Sequence, residues 1–240
     1  MVSFCFFFLF TGCKKEESPT DFLYLKAGDP STWTNTGVPG NQHEEISQWT
    51  VAGYQVHPMN LTTTTITTSL LNGYEVFRLT GGNAPRTITA SEGSAIYSWV
   101  LNGGKLLADI QATIMVPAIS SFGIQTIDGQ NGGSSGLNWF FSGAPMLDGP
   151  IIGPEGGVSS FASSCMDHPV LAPNHTLVVD YYKSGYPMIV HNQFGSGKAI
   201  IVFTNAWSHD QEWPGNAYRA TIFEGQNLQF LKNCIQYFKN

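Results

Sequence analysis

The chain has 240 residues, 42% hydrophobic and 12% charged, which supplies one sizeable core and suits one domain rather than two. The formal net charge is −6 and the one basic run is Lys14-Lys15, which argues against nucleic acid as a partner. The 26 glycines favour long loops, yet no fixed-period repeat is visible.

Residues 4–10 are an apolar run too short to span a bilayer. It leads into Leu9-Phe10-Thr11-Gly12-Cys13, which resembles a bacterial lipobox. The resemblance implies cleavage before Cys13, a lipid on that cysteine and attachment to a membrane. Next comes the polar tether Lys14-Lys15-Glu16-Glu17-Ser18-Pro19, which looks like an export signal of surface lipoproteins. The expected organisation is therefore a signal peptide over 1–12, a lipidated cysteine and tether over 13–20, and one domain over 21–240. The address it implies is the bacterial outer membrane, lipid-anchored, with both the cell surface and the periplasm open as the side it faces. Cys5 leaves with the signal, so Cys165 and Cys234 remain, either as a pair or as two separate thiols.

In the domain, residues 21–25 read as a first strand, with Lys26 to Pro30 as the loop at its C-terminal end. Residues 44–52 read as a short helix, 54–59 as a second strand, and the β-branched run 62–68 as a loop or weak turn. A third strand covers 74–80. Residues 87–110, TITASEGSAIYSWVLNGGKLLADI, carry the clearest signal in the chain. Thr89 or Ser91 can cap a helix whose first turn holds Glu92. Ile96, Trp99 and Val100 follow at helical spacing, and Asn102-Gly103-Gly104 ends the helix. Lys105 to Ile110 is a short apolar run that suits a strand buried on both faces. Strand, helix and strand in this order make a right-handed crossover of a parallel sheet.

Beyond Ile110, residues 116–122 suit a short helix and 123–125 a connection out of it. Residues 128–136 are a glycine-rich mobile stretch, 139–141 a strand, and 143–157 a loop. Late strands are expected over 176–181, 188–192 and 199–204, with a hairpin turn at Gly195-Ser196-Gly197. The last helix runs from Asn227 to Phe238, with Leu228, Phe230, Leu231, Cys234, Ile235 and Phe238 as its buried stripe. The expected fold is an α/β three-layer Rossmann/flavodoxin-like sandwich, mostly parallel, with an antiparallel late section.

Three stretches carry a resemblance to a known family. They are 71–80 with 87–109 (a strand, a helix ending in Gly-Gly, then Leu-Leu), Asp167-His168-Pro169-Val170-Leu171, and 195–202 followed by 227–238. Their order resembles the class I glutamine amidotransferase-like domains of bacterial envelope proteins. In active members the strand after Gly-Gly ends in an elbow, small-x-Cys-x-small. Here the matching residues are Ala108-Asp109-Ile110-Gln111-Ala112. Ile110 stands at the nucleophile position, and an aliphatic side chain cannot attack a carbonyl, so the family's triad cannot operate. The family's His and Glu lie past the last core strand, where this chain has His209, Asp210 and Glu212.

Other chemistry is sparse. Cys165 and His168, three residues apart, could form a thiolate pair, although their segment reads as a loop. The six histidines are scattered, with no His-x-x-x-His or Cys-x-x-Cys spacing, so no metal or other cofactor is expected. Gly195-Ser196-Gly197-Lys198 lacks phosphate-loop spacing. The six tryptophans invite a glycan, because aromatic faces stack on sugar rings, and Trp207 and Trp213 flank the loop after the last strand.

Ligands of open α/β sheets sit outside the carboxyl ends of the strands. That edge should gather Lys26, Asp29, Thr80, Asp109, Gln111, Asn205, Trp207 and His209. The function expected is a catalytically silent domain that binds a glycan or an envelope protein there. The alternative is a hydrolase built on Cys165 with His168 or on Asp109 with His209.

Overall fold

The computed structural model describes residues 20–26, 42–80, 86–110, 115–130, 139–140, 162–163, 167–183, 186–203, 207–208, 222–223 and 225–240. The first half contains β1 (Thr20–Lys26), α1 (His43–Val51), β2 (Tyr54–Asn60), α2 (Thr68–Leu71), β3 (Val76–Thr80), α3 (Ala90–Leu101), β4 (Lys105–Asp109) and α4 (Val116–Ile119). The second half contains β5 (Ile124–Gln130), β6 (Trp139–Phe140), β7 (Ala162–Ser163), β8 (Asp167–Leu171), β9 (Val178–Lys183), β10 (Tyr186–Phe194), β11 (Gly197–Val202) and α5 (Asn227–Lys239).

Among the described residues, seven strands form one sheet in the order β2-β1-β3-β4-β11-β10-β9. The pairs from β2 to β11 are parallel, and β10 and β9 add antiparallel strands at the far edge. The chain steps one way from β1 to β2 and the other way from β3 to β4. Right-handed crossovers then place α1 and α3 on opposite faces. The two apolar layers show this. Trp49 of α1 and Phe230, Leu231 and Cys234 of α5 cover Phe22, Val76, Leu107 and Val202. Ile96, Trp99 and Val100 of α3, with Ala118 and Ile119 of α4, cover Leu23, Leu25, Phe77, Leu79 and Ala108. The period of two in each strand sorts its side chains between the layers.

α3 is fixed at both ends. The Glu92 amide donates to the Thr89 hydroxyl, and the Glu92 carboxylate accepts from the Thr89 amide, a complete capping box. Glu92 also accepts from the Ile66 amide at 2.9 Å and from Arg86 Nη2 at 2.7 Å, while Arg86 donates to the Leu61 and Thr64 carbonyls. Burial alone would raise the Glu92 pKa, but these donors outweigh it and hold it at about 2. Its contribution to stability is full above the ordinary value near 4.5 and is lost as the pH falls towards 2. At the other end Gly103 takes φ +112°, a conformation that L side chains rarely adopt. At the end of the first turn, Gly93 lies against the backbone of α4. A Cβ there would stand 1.8 Å from the Pro117 carbonyl oxygen.

Several expectations need correction. Of residues 123–125, expected as a connection, Ile124 and Gln125 open β5, which pairs antiparallel with β8 outside the main sheet. Residues 167–169 lie in β8 rather than in a loop. β6 pairs with β7 in a separate two-stranded sheet and so is not a core strand. β3 begins at Val76, two residues later than expected, after a turn whose Tyr74 amide donates to Leu71. Of the glycine-rich stretch, residues 128–130 belong to β5 and 131–136 lie outside the described residues, as do the signal segment, most of the tether, and the loop over 143–157. Cys234 is buried in α5, and its proposed partner Cys165 lies outside the described residues.

Candidate functional site

The strand order reverses around β1 and β3, so this is the switch point where a ligand crevice is expected in such a sheet. Under that edge, on the face covered by α1 and α5, lies a buried polar knot. Tyr24 and Arg78 are register partners on β1 and β3, and Thr80 and Asp109 are partners on β3 and β4. Glu45 enters from α1, one turn before Trp49, and is fully buried.

Arg78 is the hub. It is fully buried, although a charged side chain enters a core only when paired. Its Nε donates to Glu45 Oε1 at 2.6 Å and its Nη2 to Asp109 Oδ2 at 2.5 Å. Nη1 reaches the Leu79 carbonyl and Nη2 also reaches the Ser208 hydroxyl. The fork geometry of a guanidinium suits this spread of acceptors, which one ammonium could not match. Tyr24 donates its hydroxyl proton to Glu45 Oε2 at 2.9 Å, and the Trp207 indole N–H donates to Asp109 Oδ1 at 2.8 Å. The guanidinium lies 5.5 Å from the Trp207 ring centroid and 6.0 Å from that of Tyr24, so it is held between two aromatic faces. Asn227 of α5 donates to the Trp207 carbonyl and so fixes that residue from behind.

One cation meets two carboxylates here, and the titration behaviour follows. Burial pushes the Asp109 carboxyl up to about 6, Arg78 pulls it down without cancelling that, and Glu45 adds to the rise. Burial opposes the charge on Arg78, but Asp109 and Glu45 outweigh it and raise its pKa further. Tyr24 is raised first by burial and then by Glu45, so it stays a proton donor. Because folding raises the Asp109 pKa, its proton is held more tightly in the fold than in the unfolded chain. The stability it contributes is full below its ordinary value of 3.8 and is lost as the pH rises through about 6. The unfolding free energy from urea denaturation should therefore fall between pH 4 and 7 for the native chain relative to Asp109→Asn, by an amount on the order of 2 kcal/mol. Parallel free energies across that range would show that the carboxyl titrates normally.

This geometry determines what the expected site residues can do. Asp109 is 1% exposed with both oxygens engaged, so it is no free base. Thr80 is 4% exposed beside it. Trp207 is fully buried and meets Phe230 edge-on, so it supports the edge from beneath and offers no face to a sugar ring. Ile110 is fully buried in the opposite apolar layer, and its amide donates to the Val202 carbonyl, which continues the sheet beyond β4. His168 stacks on Tyr186 with centroids 3.9 Å apart and planes within 3°. Asp29, Gln111, Asn205, His209 and Cys165 lie outside the described residues.

Glu45, Arg78, Tyr24, Gln42 and Ser208 belong to the knot but were not expected from sequence. Arg78 carried a signal, since a charge in the middle of the apolar run VFRLT must find a partner. Among the described residues Gln42 Oε1 is buried without a hydrogen-bond partner, although its Nε2 reaches Ser208 at 3.3 Å.

No family model matches the chain, and neither does any curated protein. Solved structures do resemble it. The N-terminal domain of mmIFT52 superposes with a TM-score of 0.63 at 13% identity, over 91% of this chain and 97% of that one. A cytoplasmic protein of Salmonella typhimurium LT2 gives 0.60 at 12% identity, over 92% of this chain and 100% of that one. A ThuA-like protein of Bacteroides uniformis ATCC 8492 gives 0.50 at 14% identity, over 93% and 92%. Identities this low show a shared flavodoxin-like fold and no more, and the ThuA-like neighbour fits the amidotransferase-like resemblance at that level.

Proposed function

We propose that this chain is an envelope lipoprotein anchored through Cys13, with a catalytically silent amidotransferase-like domain that binds a glycan or an envelope protein at the C-terminal edge of its sheet. The observation that carries the reading is Ile110. It replaces the nucleophile and faces the core, so residue 110 neither has the chemistry for attack nor stands where a substrate could reach it. The knot beneath the same edge has its ionised groups bound to one another, which suits a rigid platform better than a proton-transfer site. The lipobox-like run ending at Cys13 supports the anchor and, with it, the outer-membrane address.

Two experiments test the reading. Cells fed an alkynyl fatty acid should label the native chain and leave Cys13→Ala unlabelled, and equal labelling would remove the anchor. A thermal-shift screen against glycans should give a hit that His209→Ala weakens. A ligand at a hundredfold excess over its dissociation constant adds about 2.7 kcal/mol, an easily seen shift. Turnover of amides or esters that His209→Ala abolishes would replace the silent domain with an enzyme.

A further inference from the structure

The opposite edge of the sheet carries a cavity of about 460 Å³, within the range of small-molecule sites. Its lining includes Thr20, Gly53, Tyr54, Glu75, Lys105 and Lys239. These residues open β1, β2 and β4, precede β3 and close α5, so they meet where the strands begin. The floor is fixed by backbone hydrogen bonds: the Thr20 amide donates to Gly53, the Glu75 amide to Asp21, and the Lys105 amide to Glu75.

Tyr54 is 5% exposed, its ring packed on Trp49 and Phe22. Among the described residues its hydroxyl has no hydrogen-bond partner. Tyr54 lines the same cavity as Glu75, and burial and then Glu75 push its pKa up to about 12, which keeps the hydroxyl a donor. Lys105 pairs with Glu75, and Lys239 donates to the Ala52 carbonyl while standing 5.8 Å from the Tyr54 ring centroid. An ammonium has three donors, so two remain on each lysine.

We propose that this cavity binds a small polyhydroxylated monocarboxylate of the uronic-acid type. Two ammonium groups and one carboxylate leave a net charge of +1, which one ligand carboxylate balances. The ligand carboxylate takes donors from Lys105 and Lys239, and its hydroxyls give protons to Glu75 and accept from Tyr54. A phosphate dianion fits less well, because α1 and α5 both end here and helix C-termini carry partial negative charge. The site uses no residue of the C-terminal edge, so it stands or falls independently of the function proposed above.

The test is calorimetric titration of the full chain, kept unlipidated by Cys13→Ala, with D-glucuronate. Glucose, acetate and inorganic phosphate are titrated in parallel at matched ionic strength. Glucuronate should bind saturably at millimolar concentration, about tenfold tighter than each of the other three. Tyr54→Phe removes one hydroxyl and keeps the packed ring. It should weaken binding about tenfold without moving the ligand-free melting temperature, and Lys239→Gln should do the same to binding. Glucuronate no tighter than acetate or glucose, phosphate tighter than glucuronate, or both variants binding like the native chain would each overturn the proposal.

Discussion

Arg78→Met should cost the fold about 3–5 kcal/mol at neutral pH, a large part of the stability of an ordinary domain. Methionine fills much of the space, so the loss is electrostatic. Glu45 and Asp109 would face each other without their shared cation, and Tyr24 and Trp207 can donate to them but cannot neutralise them. The penalty should shrink as the pH falls and the Asp109 carboxyl, already raised by burial, takes up its proton. It should also shrink in the triple variant Arg78→Met, Glu45→Gln, Asp109→Asn, because that set leaves no unpaired buried charge, whereas removing the cation alone leaves two. Urea denaturation of the two variants at pH 5 and pH 8 measures both effects. A single variant as stable as the native chain at pH 8 would mean that water reaches the site.

Gly93→Ala should be the most damaging methyl group that can be added to α3. In most exposed helices this change is favourable, because alanine restricts the unfolded chain. Here the new Cβ would lie 1.8 Å from the Pro117 oxygen and 2.7 Å from its carbonyl carbon, which are backbone atoms that cannot rotate away. α3 and α4 would have to separate, opening the layer that holds Ile96, Trp99, Ala118 and Ile119. A loss of about 3 kcal/mol is expected, at the upper end for an overpacked site. Gly73→Ala is the control, since its nearest neighbour, the Leu70 oxygen, would be an ordinary 3.7 Å away. That change should stay within about 0.5 kcal/mol. Thermal denaturation of the pair separates a steric cause from a general intolerance of alanine.

Much of the architecture could be read from sequence because it rests on local periods. The crossover from Val76 to Asp109 has its helix cap, its glycine stop and its apolar spacing written in consecutive residues. β5 and β8 were harder. IQTIDGQ is half polar, and its partner begins at Asp167, so neither segment shows alone what it pairs with. The site divides the same way. Thr80 and Asp109 were placed by lying at strand ends. Glu45 lies in a segment read only as a short helix, and the turn that sets Trp49 into the core also carries Glu45 under the sheet. Its partner Arg78 is 33 residues away, a separation that no local pattern reports.

The polar knot also bears on the order in which the chain can fold. Its outer contacts span long stretches of sequence, with Asp109 and Trp207 98 positions apart and Gln42 and Ser208 166 apart. Closures of that length come at the end of an assembly whose local crossovers form first. The charged pairs Glu45–Arg78 and Arg78–Asp109 span only 33 and 31 residues and meet as those crossovers form, so the late contacts are the Trp207 and Ser208 hydrogen bonds that seal them. That seal should therefore act on the native side of the folding barrier, slowing the escape of the finished domain more than it speeds its formation.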